Sequence, residues 1–527
     1  MRAIKFALTI VFAVAGLVLL ADQKPAAMGR KARLLSGTVQ GGVAAVTGAS
    51  VTLYAAGTAY GSNATTLGSA TADSNGNFTV KYTPPAPPAV LYVLALGGNA
   101  GSGSNAAIGL MGVAGRSNAL PASVTINELT TVAAEWALAK FTDATGQILG
   151  APSSNATGFA NAVNQMQGNL ADISTGAAAS FWASYGANEA NCTGGSPPVN
   201  CDGLERMDTL SNILAACVES SGPSSSACST LLSETGGGST TLQAAHFMAT
   251  NLTASITDLF VLQSGSPPFI PDLSAAPGHW VIGLNFVPSG ASFHEPVGVA
   301  IDAGGNVWVT NPGNPRGSGN SVTELTSGGG LVGNFAPSGA NFQDPLGVAI
   351  DAGGNVWVAS NGGNSVTELS SSGGLVANFA PIGPNFGGPH QVAIDAGDKA
   401  WVTNFFGDSV TELSSSGGLV GNFAPSGANF NRPYQVAIDS GGNVWVANNG
   451  GNSVTELNSS GGLVGNFAPS GANFKNPVGV ATDAGGNVWV ANAGGDSVSE
   501  LVGLAKPVLT PLVACLKQSP PHAVCLP

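Results

Sequence analysis

The phrase DAGGNVWV stands at 302–309, 351–358 and 483–490, and returns as DSGGNVWV at 439–446 and DAGDKAWV at 395–402. Trp357, Trp401, Trp445 and Trp489 are 44 residues apart, and Trp308 precedes Trp357 by 49 because PGNPRGSGN lengthens one connection. One unit reads NPVGVATDAGGNVWVANAGGDSVSEL, with strand-like runs VGVAT, NVWVAN and SVSEL, and a fourth run, GLVGNFA, falls between units. Four short strands in one such period is the pattern of a propeller blade. A single blade cannot cover both its faces, so the copies must stack around an axis.

The repeated phrase has a local explanation. Asp-Ala-Gly-Gly-Asn makes the tight turn between the first two strands. Its glycines accept positive φ, and the Asp carboxylate accepts the turn's N–H groups. The Trp fills the space between blades, where burial is worth roughly 2–3 kcal/mol. The last copy ends at Leu501 after three strands, whereas HWVIGLNFVPSG (279–290) has the fourth-strand phase of GGLVGNFAPSG (329–339). The entering strand, Trp280 to Val287, is therefore expected to pair with Ser497 to Val502 and close a five-bladed ring.

These units resemble NHL-repeat propellers and the related streptogramin-lyase-like propellers. The carriers are the prolines before the inner strand (Pro296, Pro345, Pro389, Pro433, Pro477), VAID and GNVWV. NHL propellers usually have six blades, one more than is counted here. The lyase resemblance implies a metal-bearing face with His and Glu. No such cluster matches residue by residue, so no catalytic residue is carried over.

The preceding chain divides into three parts. Arg2 and Lys5 precede an apolar run from Phe6 to Ala21, which reads as a signal peptide within 1–27, cleaved after Ala21 or Ala27. Lys24, Arg30, Lys31 and Arg33 follow it, and positive charge there resists translocation, so an N-terminal membrane anchor is the alternative. Residues 34–126 read as all-β. ASVTLYAAG (49–57) alternates, ATADSNGNFTVKY (70–82) reads as a hairpin turning at Asn75-Gly76, PPAPP (84–88) is a stiff bridge, and AVLYVLAL (89–96) suits a strand buried on both faces. Through SGTV, GASVTLYAAG and DSNGNF this stretch resembles the carboxypeptidase regulatory-like β-sandwich, which implies a spacer or adhesion module. Residues 127–265 have helical periods. TINE (125–128) matches a capping box, and stripes follow at Leu129/Val132/Trp136, Phe159/Val163/Met166/Leu170 and Leu204/Met207/Leu210/Leu214. A fourth helix is expected from Thr241 to Leu262. The propeller spans 279–502, and 503–527 is a tail. The fold class is thus multidomain and mainly β: a β-sandwich, a helical middle segment, and a five-bladed propeller closed by an N-terminal strand.

Six cysteines fall as close pairs: Cys192 with Cys201, Cys217 with Cys228, and Cys515 with Cys525. Six cysteines allow fifteen pairings. An even count in an exported chain favours disulfides, and proximity favours the local set. The 217–228 bridge would staple two helices. Charged residues are 9% of the chain and the net charge is −13, which argues against nucleic acid, since nothing would neutralise phosphates. No membrane span is expected once the signal is removed, and no metal or cofactor.

Enzyme signatures are sparse. The five histidines are His246, His279, His294, His390 and His522; HEP at 294–296 lacks the second His of a zinc motif, and no G-x-S-x-G is present. GLMGVAG (109–115) lacks the lysine of a phosphate loop. Asp302, Asp351, Asp395, Asp439 and Asp483 form an equivalent set that either serves the turns or rings a cation. Glu324, Glu368, Glu412, Glu456 and Glu500 are expected to face solvent. The five repeat tryptophans read as core, with a sugar-stacking platform as the alternative.

Two copies depart together from the consensus. After the blade Pro, three copies have Val297, Leu346 and Val478, then Gly298, Gly347 and Gly479; the others have His390-Gln391 and Tyr434-Gln435. The first of these also carries Phe405 and Phe406, and the second Arg432. Equivalent positions of adjacent blades converge near the axis, so these seven residues read either as blade drift or as a ligand site. His390 is expected to supply a charge switch near neutral pH. The functional expectation is an exported, non-enzymatic recognition or scaffold protein binding a small molecule, glycan or protein partner. The alternative is a propeller lyase or lactonase.

Overall fold

The computed structural model describes residues 30–506, apart from 194–195, 264–265, 313–318, 381–385 and 484–485. The expected signal peptide, His522, Cys515 and Cys525 lie outside the described residues.

Residues 34–126 fold as strands and loops, with one change from the expected path. β1 (Arg33–Gly41), β2 (Ala44–Ala45), β5 (Asn77–Tyr82) and β8 (Val124–Ile126) form one sheet; β3 (Ser50–Ala55), β4 (Thr65–Thr71), β6 (Val90–Leu96) and β7 (Gly109–Arg116) form the other in the order β4-β3-β6-β7. Alternate residues of both sheets, among them Val51, Leu53, Phe78, Val80, Leu91 and Val93, meet in one core. The expected hairpin at 70–82 is not one. β4 pairs with β3 and β5 with β1, so the Asn75-Gly76 turn carries the chain between sheets. Asp73 shapes that turn by accepting the N–H of Asn75 (2.8 Å) and of Asn77 (2.9 Å).

β6 and β7 are buried on both faces because helices cover the second one. Tyr92, Leu94, Met111 and Val113 share a core with the helical segment. That segment comprises α1 (Glu128–Leu138), α2 (Ala156–Gln165), the short ribbon β9 (Ala171–Asp172) with β10 (Ala177–Ala178), α3 (Ser180–Ser184), α4 (Glu189–Cys192), α5 (Cys201–Val218), α6 (Ser226–Glu234), α7 (Thr241–Thr250) and α8 (Ile256–Phe260). The expected fourth helix to Leu262 breaks after Thr250. The capping box also lies two residues later than expected. Asn127 Oδ1 accepts the Thr130 N–H at 2.9 Å and the Asn127 N–H donates to Thr130 Oγ1 at 3.0 Å. Glu128 instead points inward, and both its oxygens accept the Gly42 N–H at 3.1 Å.

Two of the three expected disulfides are present. They join Cys192 to Cys201 and Cys217 to Cys228, the latter bridging α5 and α6. The third expected bridge, between Cys515 and Cys525, falls in the tail outside the described residues.

The repeats form five antiparallel sheets in a propeller-like array. The first holds β11 (Val299–Ile301), β12 (Val307–Asn311), β13 (Ser321–Leu325) and β14 (Leu331–Phe335). The second holds β15 (Pro345–Ile350), β16 (Val356–Ser360), β17 (Ser365–Leu369) and β18 (Leu375–Phe379). β19 (Pro389–Ile394), β20 (Ala400–Asn404), β21 (Ser409–Leu413) and β22 (Leu419–Phe423) make the third. β23 (Pro433–Ile438), β24 (Val444–Asn448), β25 (Ser453–Leu457) and β26 (Leu463–Phe467) make the fourth. The fifth has only β27 (Pro477–Thr482), β28 (Val488–Asn492) and β29 (Ser497–Leu501).

Trp308, Trp357, Trp401 and Trp445 each pack against the sheet that follows: Trp308 meets Val348, Val356 and Val358, and Trp445 meets Val480, Val488 and Val490. Each also stacks on the Phe of its own fourth strand, at 5.6 Å for Trp308–Phe335 and 5.5 Å for Trp401–Phe423. Trp489 has no sheet after it and is 41% exposed, so four of the five tryptophans are core and the fifth is not. On the other side of the array, Val299 and Ile301 of β11 are 64% and 51% exposed.

The expected clasp is not formed in this structure. No strand is assigned over 280–287, and β29 pairs with β28 alone. The helical segment holds the entering chain instead. Trp280 is fully buried in the helical core, and the Asn285 N–H and C=O are both engaged by the Asn200 side chain, at 2.7 and 2.9 Å.

Candidate functional site at the mouth of the propeller

The inner strands of sheets two to five begin at the repeat proline, and in sheets one and three a threonine of the second strand ties the inner strand to that of the next sheet. Thr403 Oγ1 accepts the Gln391 N–H at 3.0 Å and donates to the Tyr434 C=O of the next sheet at 3.0 Å. Thr310 does the same for Gly298 and Leu346, at 2.8 and 2.7 Å. The residues after each proline come together from all five sheets. His390, Gln391, Tyr434 and Gln435 line one cleft of about 260 Å³. Val297 to Val299, Leu346 and Val478 complete its wall. The sequence reading does not single out these consensus apolar residues, although they occupy the same repeat position as the four polar ones.

Phe405 joins the cluster from behind. Its ring centroid lies 5.7 Å from His390 and 6.1 Å from Tyr434, while the His390 and Tyr434 rings are 3.8 Å apart at 46°. Phe406 meets Phe405 edge-on at 5.0 Å but is largely exposed, and the Arg432 guanidinium lies 5.8 Å from the Phe405 centroid. Phe405, Phe406 and Arg432 do not line the cleft. Arg432 holds a left-handed backbone (φ 51°), and its N–H donates to Asp408 at 2.7 Å.

Burial pushes the His390 pKa down to about 4. The imidazole is therefore neutral at pH 7, which overturns its expected role as a charge switch; it is a hydrogen-bonding and stacking group. Gln435 Oε1 accepts the Val480 N–H at 3.0 Å, which ties sheet four to sheet five and leaves the amide N–H donors for other use. The cleft thus offers a tilted aromatic pair, amide hydrogen-bonding groups and an apolar wall, without a carboxylate.

The five aspartates serve their turns. Asp302 Oδ1 accepts the N–H of Gly304 (2.7 Å) and Asn306 (2.9 Å), and Asp439 Oδ1 those of Gly441 (2.9 Å) and Asn443 (3.0 Å). The other oxygen takes the repeat Trp indole N–H, at 3.1 Å from Trp357 to Asp351 and 2.8 Å from Trp489 to Asp483, a link the repeat pattern alone does not reveal. Among the described residues no group of three or more His, Cys, Asp or Glu is placed to hold a metal.

The glutamates do not face solvent as expected. Trp308 pairs directly across the strands with Glu324, and Trp357 with Glu368, so each Glu lies on the tryptophan face, under the next sheet. Glu324, Glu368, Glu412 and Glu456 are buried, and burial pushes Glu456 up to about 7. Asn306 donates to Glu324 at 2.9 Å and Lys399 to Glu412 at 2.7 Å. Of the five, only Glu500, with no sheet after it, is exposed.

No family model and no curated protein matches the chain. Solved structures do. A streptogramin B lyase is 20% identical over 41% of this chain and 68% of its own, with a TM-score of 0.35. Virginiamycin B lyase from Staphylococcus aureus is 17% identical over 41% of this chain and 71% of its own, with a TM-score of 0.35. A chain of a nidogen/laminin complex is 16% identical over 39% of this chain and 75% of its own, with a TM-score of 0.30.

Proposed function

We propose that this is an exported recognition protein whose propeller holds a neutral ligand with a flat ring, such as a sugar or an aromatic compound, at the mouth formed by the five inner strands. The observation that carries this reading is the convergence of His390, Gln391, Tyr434 and Gln435 in one cleft with the apolar positions of the other three copies. Stacking on rigid rings loses little entropy, and the glutamine amides read polar groups at a ring's edge. The two disulfides support export. In this reading the tail carries a third bridge between Cys515 and Cys525, the N-terminal sandwich is a spacer, and the ring closes in solution through 280–287 against 497–502.

The test is a glycan and small-molecule screen on the full chain, followed by the double change His390→Val and Tyr434→Val, which restores the consensus apolar residue at both positions. Ligands found in the screen should bind at least tenfold more weakly to the variant, with an unchanged melting temperature. Undiminished binding of every ligand would end the proposal. Mass analysis of each ligand after incubation separates binding from a lyase activity.

A further inference from the structure

A cleft of about 480 Å³ lies between the sandwich and α2, remote from the propeller mouth and independent of the function proposed above. Its sandwich side is Ala55 to Thr58 with Thr65 and Leu67; its helix side is Ala151, Ala156, Phe159 and Ala160. Pro85 to Val90 close a third side. The short alanine side chains leave the volume open, and the proline bridge is too stiff to fold into it. The volume is in the range of small-ligand sites, and a domain junction is a common place for one.

The charge at this cleft is unlike that of the rest of the chain. Arg116 lines it and also a second hollow of about 140 Å³, which shares Val90 and Ala160 with the first. A third hollow, which shares Pro85 and Pro88, is lined by Arg30, Lys31 and Arg33. The chain carries 29 acidic residues against 16 basic ones, yet no described carboxylate pairs with any of these four cations. Among the described residues Arg30 donates to the Pro84 carbonyl at 3.1 Å and Arg33 to the Ser117 carbonyl at 3.3 Å. A cation without an acid partner beside an apolar slot is complementary to one class of molecule, a hydrocarbon chain ending in an anion. The walls favour a methylene chain over a peptide, which would bury backbone groups against alanine and proline without partners.

We infer that the cleft between the sandwich and α2 binds a free fatty acid, with its chain between Leu67, Pro87 and Phe159 and its carboxylate on Arg116. The full chain would be titrated calorimetrically with hexanoate, octanoate and decanoate below their micelle-forming concentrations, with octanol as the uncharged control. Each added methylene should tighten binding about fourfold until the slot is full. Octanol should bind at least tenfold more weakly than octanoate. Arg116→Gln, at an exposed position, should weaken octanoate about tenfold without changing the fold, and Ala160→Phe should fill the slot and abolish binding. The inference is overturned by absence of binding at every chain length, by affinity that does not vary with length, or by octanoate binding that survives both substitutions. Binding only to vesicles containing phosphatidylglycerol, with none to free alkanoate, would also overturn it in favour of a basic membrane-facing patch.

Discussion

At the residue scale the buried carboxyls show what charge costs in a chain this poor in cations. Burial, the dominant cause, pushes Glu128 up to about 8; its own backbone N–H and that of Gly42 lower it only in part, and the acidic neighbour Glu219 raises it further. Glu135 is pushed up to about 7, with His246 Nδ1 at 2.8 Å lowering it only in part. Both carboxyls keep a proton in the folded state at pH values where the unfolded chain has lost it. Their contribution is complete below about 4.5, the ordinary glutamate value, and is lost as pH rises through 7 to 8. Chemical denaturation should therefore show lower stability at pH 8.5 than at pH 5. Glu128→Gln, which keeps the shape and cannot ionise, should flatten that slope. A slope that Glu128→Gln leaves unchanged would show that Glu128 is ionised in the fold.

At the element scale the unpaired edge of β29 has four internal precedents. Thr323 Oγ1 lies 2.8 Å from Asn334 Oδ1 of the neighbouring outer strand, and Thr367, Thr411 and Thr455 repeat the contact with Asn378, Asn422 and Asn466. In the fifth sheet Ser499 stands at that position, and Asn285 has the matching phase in the entering chain. That chain already lies beside the first sheet as an outer strand should. Phe286 covers Gly329 as Phe335 covers Gly373, and Thr323 Oγ1 donates to Ala291 at 2.8 Å as Thr367 donates to Ala340 at 2.6 Å. If 282–286 pairs with β29 in this register, Ser499 and Asn285 face each other within disulfide range. The double change Ser499→Cys and Asn285→Cys should then give an intrachain crosslink in monomeric protein on oxidation, read by intact mass under non-reducing conditions. Free thiols, or crosslinked dimers alone, would reject the clasp. This phase was legible in the sequence because it depends only on period. The hold on Asn285 by Asn200 was not, since those residues are 85 apart and belong to no shared repeat. The hairpin at 70–82 failed for a related reason: a turn motif fixes the reversal of the chain but not the sheet its second arm joins. The outward placement of the glutamates failed because alternation was counted within one strand, whereas the cross-strand pairing with Trp sets the face.

At the scale of the whole molecule, repetition made the propeller-like half readable and its end effects decide what remains. Every internal sheet gives a tryptophan face to the next and receives one from the last. The two faces without such a partner, Trp489 with Val498 on one side and Val299 with Ile301 on the other, bound the same array. The candidate cleft lies where the inner strands of both terminal sheets meet those of the middle three, so closing the array would also enclose that cleft. Its polar residues were visible in the sequence as paired departures from a repeat. Its apolar wall was hidden because consensus residues attract no notice, and the neutrality of His390 was hidden because burial cannot be read from a single copy. One comparison reports on the whole array. Trp445→Ala removes a side chain buried between sheets four and five and should cost about 3–5 kcal/mol. If the ring closes in solution, Trp489→Ala should cost nearly as much, since Trp489 would then be stacked on Phe286 and covered by the face of β11. In an open array Trp489 keeps its hydrogen bond to Asp483 but little packing, and the same change should cost about 1 kcal/mol or less. Equilibrium denaturation of the two variants side by side measures the difference, and a large gap between them would show that the five sheets remain an open arc.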